Sequence, residues 1–484
     1  ANIVIAPNGT GKVDINGNLD VDGGTIKLDG NYPIGTDNVA LGNTSLGNVE
    51  AGGINNVAIG DDSLKALTTG DNNTAVGYRS LKTAVTSLSN TAIGSLALCT
   101  NTGGNNTAIG ANAMECNTSG GDNTAVGKQA NFKNTTGTSN SSLGTLALKC
   151  NTTGASNVAV GRDSLSANTT ASNNTAVGMC AMNSNTTGAT NVAVGMAAMK
   201  ANTTGEHNSA VGHNSLLVNI DGDQNVAVGN YSLDANTTGC CNTAIGYCAL
   251  SGNTTGNTNT AVGLKALSSN TTGCENAAFG KDTLGNNTEG FCNTAIGRSA
   301  LRLNTTGDKL TALGYCALFA NVVGNNSVAI GFGALASSTG SNNIAIGHVS
   351  GVQNGMINVS SQSNRLVMGN DEITNSYVKV DWTVTSDLRD KTNIGTVPHG
   401  LNFVNQLNPI SFQFRTARGK DTTRGGVRYG FKAQDILALE KENGGSNVII
   451  DNEFEESLKL TGGSLIPVLV NAIKELKARI EELE

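Results

Sequence analysis

The sequence predicts a mostly β protein: a parallel β-solenoid (β-roll) of 17-residue coils, then a small α+β domain ending in a helix of coiled-coil type. Three observations predict it. A glycine closes a small-apolar triplet at positions 42, 60, 77, 94 and 110, then every 17 residues without exception to Gly331, and once more at Gly347. No proline occurs between Pro33 and Pro398, as expected where almost every backbone N–H feeds a ladder. Charge is unevenly placed as well: 27 of the 67 charged residues fall in the last 99 positions.

Fixed-period self-similarity is the signature of stacked repeats. One unit reads Asn242-Thr243-Ala244-Ile245-Gly246-Tyr247-Cys248-Ala249-Leu250, then Asn253-Thr254-Thr255-Gly256. Each apolar run is only three to five residues long and is bounded by turn-forming residues. That excludes long-helix repeats and predicts coils of two short strands each. Nineteen such coils, stacked at ~4.8 Å, make a rod of roughly 90 Å. Asparagine recurs four residues before the glycine and again seven after it, where stacked amides can pair up the rod and tolerate left-handed backbone.

Four segments follow from this reading: 1–36, short strands with turns that serve as a cap or attachment segment; 37–350, the repeats; 351–385, a β neck; and 386–484, the charged α+β domain. In the neck, Arg365–Gly369 and Tyr377–Val384 read as strands capping the solenoid, with Trp382 packed there. In the last segment, Leu401–Leu407 reads as a short helix stopped by Pro409, and Ile410–Arg415 alternates as a strand. Arg428–Ile436 runs from strand into helix. From Ser464 onward Ile466, Leu469, Ile473, Leu476, Ile480 and Leu483 follow heptad spacing, an Ile-rich seam suited to more than two chains. The bland alternative is a helix docked only on its own domain.

Composition narrows the function. A net charge of −7 offers no basic surface for nucleic acid. No apolar run approaches the length of a membrane span, and Ala1–Pro7 has no signal-type pattern, so synthesis in a cytoplasm is expected. The ten cysteines, all between Cys99 and Cys316 and never spaced C-x-x-C, read as small buried hydrophobes. No metal site and no cofactor are predicted. His207, His213 and His348 read as surface residues, and the Asn-Thr-Thr segments as turns rather than glycosylation acceptors.

One pair carries chemistry. Ser386 is followed by Lys391, and a serine becomes a nucleophile when a neutral lysine takes its proton. Lysine's ordinary pKa of about 10.4 must fall for that, through burial or nearby positive charge. Arg389 supplies such charge, while Asp387 and Asp390 oppose it.

Coils this small bury little alone, so the rod is expected to gain its core by association. The Asn-Thr-Ala-Val-Gly and Ala-Leu units, over about 300 residues, resemble the head repeats of trimeric autotransporter adhesins. That resemblance implies a left-handed parallel β-roll wound as a homotrimer. The anchor strands of such adhesins do not appear at the C-terminus, which points to a different particle.

Ser386-Asp387, Arg389 and Lys391-Thr392-Asn393-Ile394 are similar to the opening signature of the endosialidase-type intramolecular chaperone, the self-cleaving C-terminal domain of phage tail spikes and fibres. Asn408-Pro409, Tyr429–Gln434 and Leu465–Leu476 match the same family. The resemblance implies a homotrimeric virion appendage for host attachment, synthesised and assembled in the host cytoplasm. Its partners would be other virion tail proteins and a cell-surface receptor, glycan or envelope protein, without membrane insertion. It further implies catalysis by Ser386 with Lys391 as base, support from Asp387 and Arg389, and a single cut between Thr385 and Ser386. The family commonly places an acidic then an apolar residue around that arginine; here the stretch is Leu388-Arg389-Asp390. Two alternatives stand: a bacterial trimeric surface adhesin, and a polysaccharide-degrading spike. The second needs paired carboxylates, and acidic residues are sparse and out of phase in the repeats.

Overall fold

In the computed structural model, residues 37–50, 52–352, 359–370, 372–373, 376–377, 379, 388–415, 421–443, 448–451 and 458–484 are described. The expected N-terminal cap (1–36), Trp382 and most of the strand expected at Tyr377–Val384 lie outside them. Two compact units are present, residues 1–327 and 328–484.

The first unit is a parallel β-solenoid. Its three-residue strands run from β1 (Val39–Leu41) to β17 (Thr311–Leu313), and neighbours along the chain pair in parallel within the unit. Pairing is in strict register: Thr243, Ala244 and Ile245 of one strand face Thr260, Ala261 and Val262 of the next. Backbone donors alternate between neighbours above and below. Gly246 N–H donates to Val228 O at 2.8 Å in the preceding coil, and Leu250 N–H to Ala266 O at 2.9 Å in the following one.

Each coil contains one strand, not the two expected. The Ala-Leu stretch after the glycine is a turn, because residues two and four beyond the glycine take left-handed backbone: φ is +52° at Cys248 and +54° at Leu250. An L-residue bears that conformation at a cost that is highest for β-branched side chains. This accounts for Leu or Met at the fourth position in every coil of this unit but one, where Asn131 stands. The glycine itself sits at φ +134° in Gly246, and a Cβ there would lie 2.6 Å from Gly263 O. Both the backbone angle and the close approach of the next coil demand glycine.

Inside a typical coil lie the strand alanine Ala244, the pair Ala249-Leu250 and the asparagines Asn242 and Asn253, all fully buried. The asparagines form two ladders. In one, the Asn242 backbone N–H donates to Asn225 Oδ1 at 3.0 Å, and Asn242 Nδ2 donates to Gly256 O at 2.8 Å. In the other, Asn253 Nδ2 donates to Asn236 Oδ1 at 2.8 Å and to Gly256 O at 2.9 Å. This second ladder runs from Asn101 to Asn321. Buried amides are tolerable only when paired, and stacking supplies the pairs.

Outside lies the third strand residue. In twelve of the seventeen strands it is an exposed Val, Ile, Leu or Phe, and in the other five it is half-buried. Parallel register stacks these side chains into one apolar file. The cysteines are free thiols, half-buried except for the exposed Cys241, so none is the buried hydrophobe expected.

The second unit opens with three more parallel strands, β18 (Val328–Ile330), β19 (Ile344–Ile346) and β20 (Leu366–Met368). Beyond them come α1 (Leu401–Gln406), an antiparallel hairpin of β21 (Ile410–Arg415) and β22 (Thr423–Gly430), α2 (Ala433–Glu442), the short pair β23 (Ile450–Asp451) and β24 (Lys459–Leu460), and α3 (Leu465–Glu481). Pro467 falls in the first turn of α3, where its missing N–H has no intrahelical acceptor to lose. The core is small: Phe403, Ile436, Ile449, Ile450, Leu465 and Val468.

Candidate functional site

Thr385, Ser386 and Asp387 lie outside the described residues. Arg389 and Lys391 follow on an exposed turn: Leu388–Asp390 is one turn of 3-10 helix, closed by Lys391 N–H donating to Leu388 O at 3.2 Å. Asn393, at φ +53°, then turns the chain away. The predicted base and the predicted supporting arginine therefore share one turn directly after the junction.

The helix α3 has two apolar faces. Leu465, Val468 and Ala472 are buried against its own domain. The predicted seam of Ile466, Leu469, Ile473, Leu476, Ile480 and Leu483 is exposed along its whole length, with Ile473 65% accessible. Docking on its own domain thus uses one face and leaves the heptad face uncovered.

Long-range contacts that no local pattern announces brace this helix. Glu475 accepts a hydrogen bond from Leu401 N–H at 2.7 Å, placing a carboxylate at the N-terminus of α1. Asn471 Nδ2 donates to Glu475 Oε1 at 3.2 Å and to His399 O at 3.0 Å. A side chain at Gly400 would collide with that carboxylate. Similarly, the fully buried Glu440 accepts backbone N–H bonds from Val448, Ile449 and Ile450 at 3.0, 2.9 and 3.1 Å. Such charge-assisted bonds are about twice as strong as neutral ones, and they fix β23 to α2. These residues are ordinary helix-surface acids in the sequence; only the fold reveals their partners.

Among the described residues, no group of three or more His, Cys, Asp or Glu is placed to hold a metal ion. Nor is any described helix long and apolar enough to cross a membrane.

No curated protein matches the chain. A peptidase-family model described as the chaperone of endosialidase matches residues 386–445, beginning at the serine of the predicted junction. With a parallel β-solenoid ahead of that segment, the chain fits a tail-fibre or tail-spike protein with a C-terminal chaperone-of-endosialidase domain.

Proposed function

We propose that this chain is the subunit of a homotrimeric phage tail fibre that serves host attachment, and that its C-terminal domain assembles the fibre and then removes itself. The observation that carries the reading is the family match starting at Ser386, where the composition of the chain changes. The uncovered seam of α3 supports trimerisation, since an Ile-rich heptad face favours more than two strands. The exposed apolar file of the solenoid supports it as well, since contiguous exposed apolar surface favours association.

Parallel β-structure folds slowly, because distant strands must meet in register before any contact rewards them. A C-terminal clamp raises the effective concentration of three chains and sets that register. Removing the clamp afterwards closes the easiest route back, so the fibre is held kinetically.

In the cut, Ser386 Oγ attacks the Thr385 carbonyl carbon, and Lys391 in its neutral form takes the hydroxyl proton. The C–N bond to Ser386 breaks as that proton passes to its α-amino group, leaving Thr385 esterified to Ser386 Oγ. Water then hydrolyses the ester, which ends a single turnover on the enzyme's own chain. Asp387 and Arg389 support the dyad. The virion tail is the destination, with its other tail proteins and a host-surface receptor as partners.

The test is a denaturing gel and N-terminal sequencing of the assembled protein. The expected result is a fragment beginning at Ser386 in wild type and its absence in Ser386→Ala and Lys391→Ala. A wild-type chain that assembles as a trimer yet stays intact would refute the self-cleavage.

A further inference from the structure

Apart from the apolar file of the strands, the solenoid surface carries aromatic side chains, and three of them stand on successive coils. Tyr231 and Tyr247, on successive coils, meet edge to face with ring centroids 6.1 Å apart and planes at 77°. His213, one coil earlier, approaches Tyr231 in the same way at 5.2 Å. The three rings make a continuous aromatic step across three coils.

Beside that step runs an open groove of about 400 Å³ lined by Tyr231, Tyr247, Asp234, Ser251 and Ser268. Asp234 is the only charged group in it. Its Oδ1 is shielded from water and has no hydrogen-bond partner. Desolvation raises the pKa of its carboxyl, and a hydrogen bond from its own backbone offsets part of that rise. A shielded carboxylate oxygen without a donor is costly, and the cost is recovered when a ligand brings one. The Ser251 and Ser268 hydroxyls donate only long bonds of 3.3 Å to the carbonyls of Ser268 and Gly285. Both remain able to accept hydrogen bonds.

We infer that this groove is a carbohydrate-binding site, taking a neutral or amino sugar. A sugar ring has an apolar C–H face that stacks on an aromatic ring and a rim of hydroxyl donors that suits a carboxylate. Tyr247, half exposed at 50%, supplies the face, and Asp234 and the serines supply the acceptors. Asp234 repels acidic sugars, because bringing a second carboxylate next to an unpaired one is unfavourable. The inference deepens the attachment reading and rests on it for its biological sense: the receptor would be a glycan, read by the side of the shaft.

The test uses the assembled full-length protein and three immobilised probes: a neutral hexose oligosaccharide, a glucosamine oligosaccharide and a sialylated oligosaccharide. The expected result is saturable binding to one or both of the first two and none to the third. Asp234→Asn and Tyr247→Ala each weaken it at least tenfold. Tyr315→Ala, at an equivalent exposed position on another coil, leaves it unchanged. Tyr247 is chosen over Tyr231 because Tyr231 occupies left-handed backbone, φ +56°, and its replacement disturbs the coil. Unchanged thermal unfolding verifies that the variants are folded. Failure to bind the neutral and amino-sugar probes, undiminished binding by Asp234→Asn or Tyr247→Ala, or choline binding in place of sugar would overturn the inference. Adsorption to cells without glycan binding would overturn it too, while leaving the attachment reading intact. Glycan binding without adsorption would do the reverse.

Discussion

A shaft coil and the C-terminal helix α3 place their polar and apolar groups in opposite ways. The coil buries two asparagines completely and leaves a Val, Ile, Leu or Phe of the strand outside. The helix buries three apolar residues and leaves five apolar seam residues outside, with Leu483 exposed just beyond its end. In the coil, stability comes from hydrogen bonds to the coils above and below, so each unit depends on its neighbours along the chain. The helix hides its inner face within its own domain, and its seam is left exposed among the described residues. One region is built for propagation along a chain; the other presents the apolar face that the proposed function assigns to association between chains.

The sharpest way to break the first half of that comparison is Gly246→Ala. A Cβ there would meet Gly263 O at 2.6 Å in a backbone conformation only glycine adopts freely. Strain and overpacking together are expected to cost of order 3–6 kcal/mol. Hydrogen exchange should show the flanking coils opening while distant ones stay protected; a uniformly protected shaft would contradict close coil contact. For the second half, Ile473→Asp with Leu476→Asp should abolish trimers in sedimentation and leave the C-terminal domain folded by circular dichroism. Trimers that survive would show that the seam is not the association surface.

A smaller effect is expected from Asn253→Ala. It removes one rung of the buried ladder and strands the Asn236 carbonyl oxygen, at about 2–3 kcal/mol. Local exchange rates near residue 253 measure it. A cost below about 0.5 kcal/mol, the level of ordinary surface changes, would mean water replaces the rung. Smallest is Asn131→Leu. Asn131 occupies the buried position that Met114 and Leu148 hold in adjacent coils, and neither end of its amide has a partner. Replacing an unpaired buried amide by the repeat's own residue is expected to stabilise the coil by about 1 kcal/mol, seen as a raised denaturant midpoint.

Much of the fold was legible because the repeat writes the same physical requirement at every turn. The glycine period, the paired asparagines and the absence of proline all follow from stacking identical coils in register. The heptad seam was legible for a similar reason: side-chain periodicity survives without any tertiary information. The number of strands per coil was not. Ala-Leu looks like a strand by hydrophobicity, and only the left-handed angles at Cys248 and Leu250 show that it is a turn. At the candidate site, the motif pointed to Ser386 and Lys391, but the acids that brace the domain, Glu440 and Glu475, carried no signal. Their partners lie eight to ten residues away in Glu440 and 74 away in Glu475, beyond the range of any local pattern.

The sequence by itself determined the repeat, its register, the change of character at residue 386 and the heptad face of α3, because each is periodic or local. Only the tertiary structure decided which apolar residues are inside. Identical-looking side chains part company there: Leu250 is buried on left-handed backbone, whereas Ile245 is exposed on the strand. The groove beside Tyr231 and Tyr247 belongs to the same class of fact. Its residues come from three coils and meet only because parallel stacking brings every seventeenth position side by side.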